Sequence, residues 1–147
     1  MQLTHIPLHK TEQFKDVLNM CISIRKEVFI EEQSVPYTIE QDGKDNISSH
    51  LLLYIENIPI ATLRMRNTEE GIKLERIAVI KSYRGMGYGK VLVSHAMRII
   101  QEEDKGAIIY VHSQQDASLF YKSLGFVPSG ETTVEAGIPH VTMVYNM

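Results

Sequence analysis

Cysteine is almost missing from this chain: Cys21 alone stands among 147 residues, so no intramolecular disulfide can form. It lies in an apolar helical stretch and reads as a buried, inert thiol suited to a reducing cytoplasm. No block of lysine or arginine occurs, and 15 basic against 18 acidic residues leave a net charge of -3, which argues against a nucleic-acid partner. No apolar run approaches the roughly 18 residues of a membrane span, and Met1-Gln2-Leu3-Thr4-His5 lacks the basic and apolar regions of an export signal. No membrane partner is expected, and the cytoplasm is the expected location. The six histidines are scattered without cysteine partners, so no metal is expected. With only 5 prolines and 9 glycines beside 44% hydrophobic and 22% charged residues, the composition is that of one ordinary globular domain over residues 1–147.

What is present is a regular alternation of periods. Leu3 to Ile6 reads as an opening strand, and Thr11, followed by Glu12, reads as the N-cap of a helix running to about Phe29 or Ile30. Between Glu27 and Asp45 six carboxylates face one base, Lys44, with Pro36 and Gly43 breaking regularity. Strand-like runs at His50–Glu56, Ile60–Asn67 and Ile72–Ile80 predict an antiparallel meander. Leu92, Val93, Ala96, Met97, Ile99 and Ile100 repeat at helical spacing and predict a helix from about Gly87 to Glu103. A strand at Ala107–His112, a short helix carrying Ala117, Phe120, Tyr121 and Leu124, and strands at Phe126–Val134 and Val141–Tyr145 complete the chain. The order predicts an α/β (α+β) fold with helices on both faces of the sheet.

The most informative segment is Arg84-Gly85-Met86-Gly87-Tyr88-Gly89, between a strand and a strongly periodic helix. Glycines there let backbone approach a ligand, and amides at a helix N-terminus attract phosphate. The dinucleotide pattern fails because Lys90 stands where its last glycine belongs, and the Walker pattern fails at Arg84 and Val91. The pattern that matches is R-x-x-G-x-G, as Arg84, Gly87 and Gly89, and it resembles the acetyl-coenzyme A motif of the GNAT superfamily. A second segment, Ala117-Ser118-Leu119-Phe120-Tyr121 through Gly125-Phe126, resembles the family's A-x-x-F-Y-x-x-x-G-F. Arg25 to Pro36 and Ala136 to His140 resemble segments of one small single-domain subgroup, which also carries glutamine where this chain has Gln114.

The resemblance implies a mixed, largely antiparallel GNAT-like sheet and an acetyl-coenzyme A-dependent N-acetyltransferase. It assigns the coenzyme pyrophosphate to the amides of Arg84, Gly85, Met86, Gly87, Tyr88, Gly89 and Lys90. It assigns the pantetheine arm to the backbone of Ile77, Ala78 and Val79, and the sulfur end to the helix bearing Phe120 and Tyr121. Tyr121 would protonate the departing thiolate after an amine attacks the thioester directly in a ternary complex, with a strand N–H near Val79 facing the oxyanion. Dimerisation is a habit of the family, so a homodimer is an expectation.

The acceptor, a small-molecule or protein amine, is protonated at neutral pH and needs a proton acceptor. Glu75 lies on the strand leading to the coenzyme site, and strict alternation places it beside Ile77 and Val79 and opposite Arg76. It is the candidate base, against the alternative of an ion-paired strand carboxylate. Glu31, Glu32 and Asp42 could form an acidic mouth for a cationic amine, with His140 and His50 as acceptor contacts or relays. His112 and His95 read as ordinary polar residues. The rival reading is a non-catalytic acyl-coenzyme A binder acting as a sensor or regulator.

Overall fold

The computed structural model describes residues 1–145. Seven strands, β1 (Gln2–Ile6), β2 (Ser49–Ile55), β3 (Ile58–Thr68), β4 (Gly71–Val79), β5 (Ile109–Gln114), β6 (Val127–Glu135) and β7 (Ile138–Tyr145), form one sheet. Its order is β1-β2-β3-β4-β5-β7-β6. The first four strands are an antiparallel meander, β4 and β5 run parallel, and β5, β7 and β6 are antiparallel again. The parallel pair needs a crossover, and α3 (Tyr88–Glu103) supplies it. The mixed, mostly antiparallel sheet expected from the sequence is therefore present.

Alternation in the central strands explains why helices cover both faces. Leu51 and Leu53 pack with Leu92, Val93, Ala96 and Met97 of α3, whereas Leu52 packs with Cys21, Ile24 and Val28 on the other face. Each of these side chains is fully or almost fully buried. Of the stripe predicted for α3, Leu92, Val93, Ala96, Met97 and Ile100 are buried and Ile99 is half-buried at its edge.

The N-terminal helix departs from the expectation. Thr11 does not cap it: the Thr11 hydroxyl donates to Asn46 Oδ1 at 3.4 Å, and α1 begins only at Lys15 and runs to Arg25. The chain then widens into a π-helical turn at Lys26–Glu32, a local insertion that changes which side chains face the sheet. A single turn, α2 (Tyr37–Glu40), follows. The short predicted helix is α4 (Ser118–Ser123).

One irregularity in β4 reorganises the middle of the molecule. Ala78 pairs with Thr62 but Glu75 pairs with Arg64, so one residue of β3, Leu63, opposes both Arg76 and Ile77. This is a β-bulge, and Arg76 takes the left-handed conformation at φ 53° to make it. The extra residue reverses the alternation. Glu75 falls on the α1 face with Ala78, while Val79 and Ile77 pack into the cluster on the α3 face. The expected placement of Glu75 beside Ile77 and Val79 is corrected for that reason.

Candidate active site

Ahead of the bulge β4 parts from β5. The two strands pair only at Ile72 with Ile109 and Lys73 with Tyr110, so the β5-facing edge of β4 past Lys73 has no strand partner. A cleft of about 390 Å³ occupies the gap, bordered by Phe29 and Gln33 from the π-helical segment, Ile77 of β4, His112 of β5, Tyr121 of α4 and His140 of β7. The widened turn after α1 thus delivers Phe29 and Gln33 to the opening.

The glycine turn lies next to this gap. A 3-10 turn at Lys81–Tyr83 leads into it, and Gly85 and Gly87 have φ of 76° and 85°. Nothing lies within 4 Å of where a Cβ on either would sit, so the backbone is open to a ligand. Gly87 is the left-handed N-cap of α3. The first amide to find a helical acceptor is that of Val91, on Gly87 O at 3.1 Å, so the Tyr88, Gly89 and Lys90 amides project from the positive end of the helix. A diphosphate fits such a cradle. The Arg84 side chain is otherwise engaged: its guanidinium donates to Val79 O at 2.8 Å and pairs with Glu32 at 2.9 Å. Gly89 is in ordinary helical conformation, and Phe120 lies against it. Phe120 in turn meets Tyr121 edge-on, ring centroids 5.1 Å apart, so the two sequence motifs form one continuous wall.

Tyr121 is buried at 9% exposure and borders the cleft. Its ring packs at right angles to those of Phe120 and Phe126. Burial pushes the phenol up to about 12, so it stays protonated at any working pH and is available as a donor.

Glu75 is caged. Arg64 Nε donates to Glu75 Oε2 at 2.7 Å and Arg66 Nε to the same oxygen at 2.9 Å, while Lys73 Nζ lies 3.3 Å from Oε1. Burial favours the neutral acid, but these three cations outweigh it and bring the carboxyl down to about 2. A carboxylate that gives up its charge so reluctantly is a poor proton acceptor at neutral pH. The ion-paired alternative is the one the geometry supports.

Two of the three carboxylates expected at an acidic mouth are likewise spent, and the third, Glu31, is exposed and does not border the cleft. Asp42 pairs with Arg64 at 2.7 Å and Arg76 at 3.2 Å. Its burial is outweighed by hydrogen bonds from Arg64 and the Lys44 amide, which hold the carboxyl below its usual range. Glu32 is taken by Arg84, and neither Asp42 nor Glu32 borders the cleft. His50 is fully buried with Nε2 2.9 Å from Asp45 O, away from the opening; burial lowers its pKa and keeps it neutral. Of the expected acceptor contacts, His140 does border the cleft, its Nδ1 held 2.7 Å from Ile138 O.

Sequence reasoning missed the arginines. Arg25 and Arg64 are 1% and 0% exposed. Arg25 binds Glu40 at 2.7 Å and Asp45 at 2.8 Å, and Arg76 binds Glu40 at 2.8 Å. Buried charges persist only when paired, so the six carboxylates between Glu27 and Asp45 were themselves a signal that cations elsewhere must meet them. His112 was also missed as a cleft residue.

Known proteins resemble this chain in sequence and in fold. The family described as "Acetyltransferase (GNAT) domain" matches residues 9–147. The uncharacterized N-acetyltransferase YjcF of Bacillus subtilis is 35% identical over 134 residues, covering 90% of this chain and 92% of that protein. An acyl-CoA N-acyltransferase from Pseudomonas aeruginosa superposes with a TM-score of 0.86 at 27% identity, covering 98% of each chain. An aminoglycoside 6'-N-acetyltransferase crystallised with coenzyme A has the same fold, with a TM-score of 0.75 at 12% identity, covering 99% of this chain and 97% of that one.

Proposed function

The chain belongs to the acetyltransferase (GNAT) domain family and is an acyltransferase, and from that premise we propose that it moves the acetyl group of acetyl-coenzyme A to a primary amine by direct attack. The observation that carries this reading is the parting of β4 from β5 after Lys73. It leaves unpaired strand backbone between an open glycine turn and a cleft bordered by a buried tyrosine.

The turn at Gly85–Lys90 would hold the pyrophosphate through backbone amides, and the free edge of β4 would take the pantetheine arm by strand-like hydrogen bonds. Val79 O is already engaged by Arg84 and Ala78 is laddered to Thr62 of β3, so the Ile77 backbone and the Val79 N–H offer the remaining contacts. The amine nitrogen bonds to the thioester carbon, the C–S bond breaks, the nitrogen loses a proton and the sulfur gains one. Tyr121, protonated and carried by the helix that in the family flanks the coenzyme's sulfur end, would give that proton. Positioning of the two substrates in one cleft supplies much of the acceleration. Glu75 holds the arginine cluster beneath the cleft rather than accepting a proton.

Calorimetric titration with acetyl-coenzyme A tests the binding half, with Gly87→Glu as the variant whose carboxylate repels the pyrophosphate. Release of free thiol with kanamycin, glucosamine, spermidine and lysine tests the transfer half. Micromolar binding abolished by Gly87→Glu, with thiol release dependent on one of these amines, is the expected result. Binding without transfer to any amine would identify a sensor of the coenzyme instead.

A further inference from the structure

We propose that His112, oriented by Glu135, is the general base that takes the proton from the acceptor amine. This rests on the acetyltransferase reading above and supplies the group that Glu75 does not. His112 projects from β5 and Glu135 ends β6; both border the cleft that Tyr121 borders. His112 Nδ1 lies 3.2 Å from Glu135 Oε2 and 3.5 Å from Oε1. Only the Oε1 contact has hydrogen-bond geometry; Glu135 Oε2 is shut off from solvent and has no hydrogen-bond partner among the described residues. A carboxylate at Nδ1 fixes the tautomer that carries its proton there, which leaves the Nε2 lone pair free. Nε2 has no hydrogen-bond partner among the described residues. The ring is 35% exposed, so an amine or a bridging water can reach it.

The pairing is the arrangement a base needs: an acceptor nitrogen in the cleft, and behind it an anion that stabilises the cation formed. His140 borders the same cleft, but its Nδ1 rests on the Ile138 carbonyl, which carries no full charge. Several charged and titratable groups surround His112. The Tyr110 ring of β5 is tilted against it at 5.7 Å, Glu135 faces it from β6, and His140 of β7, Glu75 and Arg76 of β4 and Glu40 of α2 lie along the same cleft. Lys73 of β4 borders both this cleft and the neighbouring hollow that His112 shares with Arg66 of β3. Lys73 and Arg66 share the single carboxylate of Glu75 with Arg64, and Glu69 and Glu70 border that hollow as well.

In the proposed step the amine nitrogen bonds to the thioester carbon and its surplus proton passes to His112 Nε2. The C–S bond breaks, the sulfur takes the Tyr121 proton, and both side chains exchange protons with solvent to reset. No other co-reactant is needed.

The test uses the panel amine that the wild type acetylates fastest, with kcat and KM followed from pH 5.5 to 9. His112→Gln keeps a neutral hydrogen-bonding group beside Glu135. It is expected to lower kcat by about 10²-fold or more, remove the acidic limb of the profile, and leave the dissociation constant of coenzyme A within about twofold. Glu135→Gln is expected to lower kcat with little change in the KM for acetyl-coenzyme A, since the ring loses the carboxylate that orients it, and His140→Gln to keep the limb. A merely structural pairing would lower the thermal midpoint and leave the limb in place. A His112→Gln enzyme with an unaltered limb and kcat within about threefold of wild type overturns the base while leaving the acetyltransferase reading intact. Failure of the wild type to acetylate any panel amine overturns both.

Discussion

The Phe120 ring lies against Gly89, its Cζ 3.7 Å from where a Cβ on Gly89 would sit. Residues thirty-one positions apart thereby join the glycine turn to the tyrosine helix. An Ala methyl would make only ordinary contact there, and alanine is favoured over glycine within a helix by about 1 kcal/mol. Gly89→Ala is therefore expected to leave the melting temperature unchanged or slightly higher. Gly89→Leu must displace Phe120 and should weaken coenzyme A binding more than tenfold by calorimetry. Gly87→Ala has open space but a left-handed backbone, and should cost about 1–2 kcal/mol in chemical denaturation.

Tyr121→Phe removes a hydroxyl with no protein hydrogen bond among the described residues, so its stability cost should be under about 1 kcal/mol. Loss of the proton donor should lower kcat by about 10- to 10²-fold with little change in the KM for acetyl-coenzyme A. Because the phenol lies near 12, the wild-type profile should show no basic limb from Tyr121 below pH 10.

The Glu75 carboxyl is brought from 4.5 down to about 2 in the folded protein. A depressed acid stabilises the fold above its unfolded pKa and loses that contribution as pH falls through the folded one. The stability of the wild type should thus decline between about pH 4.5 and pH 2, with Asp42 and Asp45, also depressed, adding to the fall. Glu75→Gln leaves Arg64 short of a partner and should cost about 3 kcal/mol at pH 7, while flattening that acid limb in urea titrations.

Cys21 is fully buried, and burial pushes its thiol up to about 11. A disulfide-exchange reagent at pH 8 should leave it unmodified for as long as the protein stays folded and titrate one thiol in denaturant. Rapid labelling of the native protein would show that α1 opens from the sheet.

Much of the architecture was legible in local pattern. The stripe of α3, the three meander strands and the two motifs carrying Gly87 and Tyr121 follow from periodicity and spacing, because each depends on residues close in sequence. The start of α1 was misread because the Thr11 side chain finds Asn46, thirty-five residues away, instead of the local amides.

The sequence by itself determined the strands and the α3 and α4 helices, where glycine opens the backbone, and that Cys21 would be buried. Tertiary structure decided the face of Glu75, the fate of the acidic segment and the company of His112. A bulge reverses side-chain alternation only once a partner strand fixes the register. A carboxylate becomes an ion pair rather than a mouth only when distant arginines, here Arg25, Arg64 and Arg76, are folded onto it. His112 meets Glu135 only because β7, lodged between β5 and β6, ties the two outer strands into one sheet. These are interactions between residues far apart along the chain, and no local periodicity encodes them.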